Sequence, residues 1–384
     1  MNEFHITSYA QEVIFGSGAL GQVDQAVERM GWRRVLLCTS GSQRRSGSAA
    51  VLKNLLDERL VASYEQAQAH VPAAQVDEVV ELAEARQVDA VIGLGGGSAL
   101  GLAKAVSFAL EERRDAVLAG NVSSLARAQV PVIAIPTTYA GSEMTPVYGI
   151  TRMVDGQARK QTGSDPRITP QLVIYDPRLT LDLPPEITAS TGINALAHCI
   201  EALYSLTRNP LSSAVALSGV RAIMSALPRC YARGDDLEAR GEMLEGAYLA
   251  GTALAHVTMA LHHGLCHVLG GTAGVPHGIA NGIILPHAMR FNLRAAAAQL
   301  APAAGAMGIS LTGNNPRTAV EEMIARIEEL IRGMGLPQRL RAVGVREDDL
   351  PRLAQLAFQN RTVRSNPEPV TDAAQLEELL RAAW

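Results

Sequence analysis

The sequence predicts an α/β fold with a mostly parallel sheet in its first half, residues 1–180, followed by an all-α second half, residues 181–384. Two observations carry that expectation. Short apolar runs alternate with segments of helical spacing as far as Tyr175, the pattern left by right-handed crossovers between parallel strands. Beyond Leu183-Pro184-Pro185 the strand signal all but disappears, while apolar residues recur at three and four positions.

Taken in order, Glu12–Phe15 (EVIF) reads as the first strand, closed by Gly16-Ser17-Gly18, and Ala19–Met30 has helical spacing. Arg34–Cys38 is a short apolar run ending in the polar loop Thr39–Gln43, as expected of a buried parallel strand whose carboxyl end opens into a loop. A helix at Ala49–Glu58, a strand at Ala62–Glu65, a helix at Ala74–Arg86 and a strand at Ala90–Leu94 follow. That strand runs into Gly95-Gly96-Gly97-Ser98 and a helix over Ala99–Leu110; Pro131–Ile135 is the next strand, a hairpin spans Val147–Lys160, and Gln171–Tyr175 is the last strand. In the second half, helices are expected at Ile187–Leu206, Pro210–Tyr231, Asp236–His256, Asn281–Gly305, Pro316–Gly333, Glu347–Ala357 and Asp372–Ala383.

Composition narrows the function classes. A chain of 384 residues, 47% hydrophobic and 19% charged, is long enough for two domains that each bury a core. Its net charge of -4 comes from 34 basic against 38 acidic residues with no run of either sign, so nothing points to nucleic acid or a membrane surface; Arg113 and Arg114 read as a solvated helix end. Cys38, Cys199, Cys230 and Cys266 form no CxxC pair, which argues against a disulfide framework or a cysteine zinc site and fits a reducing cytoplasm. The N-terminus lacks a basic segment followed by an apolar one, so neither a secretion signal nor a membrane span is expected.

Two loops suggest a nucleotide site. Gly95, Gly96 and Gly97 let a backbone approach a diphosphate closely, and the free N–H groups of the helix that begins after Ser98 favour its charge. The same triplet could simply make a tight strand-to-helix turn, and it is not the G-x-G-x-x-G fingerprint. At the carboxyl end of the next strand, Pro136–Thr145 adds the hydroxyls of Thr137, Thr138 and Ser142. In open α/β sheets ligands bind outside the carboxyl ends of the strands, so both loops are expected to serve one dinucleotide.

The histidines suggest the chemistry. Seven of the nine lie between positions 198 and 287. His263 and His267 are four apart, on one face of a helix, and His277 follows a Gly-Gly-Thr-Ala-Gly-Val-Pro turn that can fold back towards them. Asn194 and His198 repeat the spacing upstream. Such a group could hold a divalent metal or polarise a carbonyl directly, although single buried histidines also serve as packed core residues.

With FGSG at Phe15–Gly18, GGGS at Gly95–Ser98, PTTYAGSE at Pro136–Glu143, the block Asn194–Glu201 and HHGLCHVLG…PHGIANGIILPH on the page, the chain resembles the iron-containing alcohol dehydrogenase superfamily, from about Ile14 to the end. That resemblance implies a fold shared with dehydroquinate synthase and an active site in the cleft between the domains. Within the superfamily the chain is most similar to maleylacetate reductases, through TYAGSEMTPVYGIT, QTGSDPRITPQLVIYDP and TGINALAHCIEALYS. In metal-dependent members an aspartate and three histidines hold iron or zinc; the matching positions here are Asn194, His198, His263 and His277. Asn194 removes the only anionic ligand, and Gly101 stands where those relatives carry an aspartate in GGGS-x-x-D-x-x-K. Both departures resemble maleylacetate reductases, which implies a reaction without a metal. Ser40 lies where many relatives have an aspartate near the adenine ribose, which leaves NADH and NADPH both open. The resemblance also implies a cytoplasmic homodimer.

The implied reaction is NADH- or NADPH-dependent reduction of the carbon-carbon double bond of maleylacetate to 3-oxoadipate in aromatic-compound catabolism. Hydride entering beta to the ketone leaves negative charge on the ketone oxygen, and His198, His263 and His277 are the expected donors to it. His267 would steer the nicotinamide or the substrate. Arg159, Lys160 and Asn194 are candidates to bind the two carboxylates of this small-molecule substrate. The alternative is a metal-dependent alcohol dehydrogenase acting on an aldehyde or ketone.

Overall fold

The computed structural model describes Phe4 and residues 6–117, 127–154, 157–313 and 315–384; of residues 116, 117, 154 and 157–160 it describes the backbone only. The chain divides into two compact units, Ser8–Leu183 and Pro184–Trp384.

In the first unit the strands are β1 (Glu12–Phe15), β2 (Val35–Thr39), β3 (Leu60–Tyr64), β4 (Ala90–Gly95), β5 (Val132–Pro136), β6 (Val147–Val154), β7 (Gln157–Ser164) and β8 (Leu172–Tyr175). Six of them form one parallel sheet in the order β1-β8-β5-β4-β2-β3. The antiparallel pair β6-β7 is the expected hairpin, extended to Ser164. Strands β2, β4, β5 and β8 are buried along their whole length, which is why they read as unbroken apolar runs. The helices Val23–Arg29 and Ser48–Leu56 pack on one face of the sheet, and Ala73–Ala85 with Gly97–Val117 on the other.

Two local expectations need correction. The loop Thr39–Gln43 contains the start of a short helix, Gly41–Arg45, behind the extended residue Ser40. The helix expected from Ala99 already begins at Gly97 and runs to Val117; glycine costs little there, because the first N–H groups of any helix lack helical partners.

Asp176 closes this unit. Its carboxylate accepts from the backbone N–H groups of Gly18 (3.0 Å), Leu20 (3.1 Å) and Arg178 (3.0 Å), tying the ends of β1 and β8 together. Removing the acceptor orphans largely enclosed donors. Asp176→Ala should therefore destabilise the protein by about 2–3 kcal/mol in urea unfolding followed by circular dichroism; a cost below about 0.5 kcal/mol would mean that water replaces the carboxylate.

The second unit contains no strand among the described residues. Its central helix, Pro185–Tyr204, is enclosed along nearly its whole length. The helix Pro210–Ala232 is long and apolar enough to cross a membrane, yet here it packs between Pro185–Tyr204 and Leu237–Ala255. Close packing explains several glycines: a Cβ at Gly219 would lie 2.7 Å from the Cys199 sulfur. The segment from Gly270 to Pro276, expected to be a turn, is helical as far as Ala273, and only Gly274, with φ +69°, through Pro276 breaks it. The next helix begins at His277, four residues before the expected Asn281.

Candidate active site

The carboxyl ends of β2, β4 and β5 lie side by side in the sheet, so Ser40, the turn Gly95–Ser98 and the loop at Thr137 and Thr138 come from adjacent strands. Gly95 has φ +143°, and a Cβ on it would lie 3.1 Å from that of Ala99. A Cβ on Gly96 would meet the Thr138 side chain at 3.0 Å, so the two loops approach closely there. The Thr137 N–H donates to the Gly95 carbonyl at 3.0 Å, and Gln43 donates to the Thr137 hydroxyl at 3.0 Å. Gly97 is exposed with open space above it, at the start of a long helix. This arrangement suits the diphosphate of a dinucleotide.

Ser142 is placed differently. Its hydroxyl is enclosed with no hydrogen-bond partner among the described residues, and its carbonyl accepts from Lys104 at 2.9 Å. Lys104 also reaches Thr145, and Tyr175 donates to the neighbouring Glu143 at 2.8 Å. Burial pushes the Glu143 carboxyl up to about 7 and the Lys104 ammonium down to about 8. Ser40 shares a hydrogen bond with Ser42 at 2.8 Å. The side chains of Arg159 and Lys160 lie outside the described residues; their backbones pair with Arg152 and Thr151 in the hairpin.

The second unit assembles the histidines. Asn194, His198 and Glu201 occupy one face of the central helix. His263 and His267 lie on Leu261–Ala273, and His277 opens His277–Ala306. Glycines set the approach: a Cβ on Gly278 would lie 2.8 Å from the Ser190 carbonyl oxygen, and one on Gly264 would meet Val363 at 2.5 Å. The four expected rings come together. His198 stacks on His263 with centroids 4.7 Å apart, His267 stacks on His277 at 5.8 Å, and His263 stands 6.3 Å from His267 and 6.0 Å from His277.

Sequence reasoning missed the residue beneath them. Glu201, fully buried, receives the Nδ1 of His263 and the backbone N–H groups of Ala260 (2.9 Å), His262 (3.1 Å) and His263 (3.3 Å). Burial alone would push its carboxyl up, but His263 and His262 beside it hold it well below the usual carboxylate range. Burial, reinforced by His263, pushes His198 well down. His263 Nε2 and His198 Nδ1 are enclosed with no hydrogen-bond partner among the described residues. His262, also missed, faces the Asn281 carbonyl oxygen through Nε2 at 3.3 Å.

Two sets of residues here could be asked to hold a divalent metal. Glu201, His262 and His263 bring their ligand atoms within 4.8 Å of one another, but those of Glu201 are already engaged by backbone N–H groups and by His263, so an ion there would have to displace them. At the alternative set, Asn194 offers no charge, and the rings of His198 and His263 lie nearly parallel, 16° apart, face towards face. The cluster can instead present imidazole nitrogens to a developing oxyanion or exchange protons with it.

Comparison with known proteins adds independent findings. Residues 10–177 match the family described as iron-containing alcohol dehydrogenase, and residues 188–384 match the C-terminal region of the Fe-containing alcohol dehydrogenase family. The chain is 39% identical to a maleylacetate reductase of Pseudomonas knackmussii over 372 residues, 97% of this chain and 95% of the relative. It superposes on the crystal structure of a maleylacetate reductase from a Rhizobium species with a TM-score of 0.84 and 36% identity, covering 100% of this chain and 99% of the other. An alcohol dehydrogenase from Oenococcus oeni gives a TM-score of 0.90 at 26% identity, with 100% of each chain covered.

Proposed function

The chain belongs to the iron-containing alcohol dehydrogenase family, and from that premise we propose that it is a maleylacetate reductase, reducing the carbon-carbon double bond of maleylacetate to 3-oxoadipate in the breakdown of aromatic compounds without a metal. The observation that carries the reading is the packed group His198, His263, His267 and His277 on a chain that has Asn194 where a metal ligand set needs an anion.

The cofactor is NADH or NADPH; Gly95, Gly96, Gly97, Ser98, Thr137 and Thr138 would hold its diphosphate side, and Ser40 its adenosine side. Bound, it supplies a hydride to the carbon beta to the ketone. His198, His263 and His277 meet the negative charge that develops on the ketone oxygen, a contribution of about 3–4 kcal/mol for one donor. The burial of His198 and His263 favours their work, since a donor away from water acts more strongly than one in it. His267, beside His277, orients the reacting parts. Asn194, Arg159 and Lys160 bind the two carboxylates.

The protein works in the cytoplasm, a reading supported by four buried cysteines that form no disulfide, and as a homodimer, which the family resemblance suggests and light scattering after gel filtration tests. Following NADH and NADPH absorbance with maleylacetate and with simple aldehydes tests the activity. Cofactor consumption with maleylacetate, unchanged after prolonged chelation, is the expected result. Turnover of aldehydes by a protein carrying stoichiometric iron or zinc, lost on stripping, would replace the proposal with an alcohol dehydrogenase.

A further inference from the structure

Glu201 is an acid near the end of a largely buried helix, at 0% exposure, and no step described so far uses it. Its surroundings account for its charge. The helix Leu261–Ala273 begins against it, and the N–H groups of Ala260, His262 and His263, which have no partner within that helix, donate to its two oxygens. Leu261, the remaining N–H of this first turn, is taken by Asn366 at 3.4 Å. A carboxylate at the positive end of a helix is stable there even when buried. The Tyr204 hydroxyl donates to Glu201 as well, at 3.4 Å, and the fifth contact is of another kind: the ring of His263 reaches the same carboxylate through Nδ1.

A carboxylate only accepts, so the ring nitrogen facing it carries the proton. That fixes the tautomer and the plane of His263, and it leaves Nε2 as the ring atom able to act elsewhere. Nε2 is the atom enclosed without a partner among the described residues. We infer that Glu201 is the positioning residue for His263, receiving the Nδ1 proton so that Nε2 alone exchanges a proton with the substrate. The inference rests on the reductase reading above. In that reaction the hydride brings an electron pair to the beta carbon and the alkene pair moves through the alpha carbon onto the ketone oxygen; the proton that completes the product leaves Nε2 of a ring protonated on both nitrogens, which returns to the neutral Nδ1–H form that Glu201 holds, and water reprotonates Nε2.

A role confined to capping the helix would use the three N–H contacts alone, so the test must separate the two. Glu201→Gln keeps the size and one acceptor but loses the charge. Assayed on the full chain with NADH and maleylacetate, it should lower kcat about tenfold with KM for maleylacetate within about twofold. In a His263→Ala background the same change should cost less than about twofold, because the residue acts through the missing ring. Glu201→Asp, which keeps the carboxylate, should recover part of kcat. A readout free of substrate is the proton spectrum of 15N-histidine-labelled protein: a strongly downfield Nδ1 proton should be present in the wild type and absent from His263→Ala and Glu201→Gln. An equal loss from Glu201→Gln with and without His263, or a kcat within about twofold of wild type, overturns the inference. Should Glu201→Gln fail to fold, Glu201→Asp enters the same cycle, and the wild-type against His263→Ala spectra decide whether the Nδ1 contact exists. A wild type inert towards maleylacetate would sink the reductase reading, while the downfield proton would still report on the contact.

Discussion

Replacing His263 with alanine should lower the turnover of maleylacetate by about two orders of magnitude or more, while NADH affinity stays within a few-fold. The size follows from the usual cost of losing one preorganised donor to a developing oxyanion, about 3–4 kcal/mol. His263 is the member of the cluster to remove because the other rings surround it: His198 stacks on it at 4.7 Å, His262 meets its edge at 4.8 Å, and the centroids of His267 and His277 lie 6.3 and 6.0 Å away. The truncation also strips Glu201 of a buried partner, which adds a structural cost to the chemical one. Comparing the thermal midpoints of the variant and the wild type separates the two contributions. A variant that folds as well as the wild type and turns over within a few-fold of it would remove His263 from the chemistry.

The strands of the large sheet were legible because burial on both faces leaves no polar interruptions in β2, β4, β5 and β8. The histidine group was legible for a different reason. The i, i+4 spacing of His263 and His267 and of Asn194 and His198 states a shared face before any tertiary contact is known. Glu201 was not, because a glutamate in a helix looks the same in sequence whether it faces water or a neighbouring helix end; only the fold brings Ala260–His263 to it across some sixty positions. Gln43 stayed hidden for a similar reason, since a polar run after a strand says nothing about which side chain turns inward to bond Thr137. The last turn of the helix Leu261–Ala273 reads as part of a loop because Gly270 and Gly271 are weak helix formers.

Gly95→Val should weaken NADH binding roughly a hundredfold, and the argument runs through the backbone rather than through any lost contact. Gly95 holds φ +143°, a region nearly closed to residues with a Cβ, and the added atom would press on Ala99 at 3.1 Å. Holding a branched side chain there costs on the order of 3 kcal/mol. If the turn keeps its shape, that cost appears as lost stability in urea unfolding. If the turn rotates to a permitted φ, the Gly95 carbonyl no longer receives the Thr137 N–H, and the array of N–H groups ahead of the helix Gly97–Val117 is re-aimed. Calorimetric titration with NADH beside the unfolding curve distinguishes the two responses, and no change in either would mean that the turn holds no cofactor and stores no constraint. Gly97→Ala supplies the contrast, because its φ lies in the ordinary range and, among the described residues outside its own helix turn, nothing stands within 4 Å of the new methyl. Unaltered stability with weakened NADH binding in that variant would place the diphosphate directly against Gly97, since only a ligand is left for the methyl to meet.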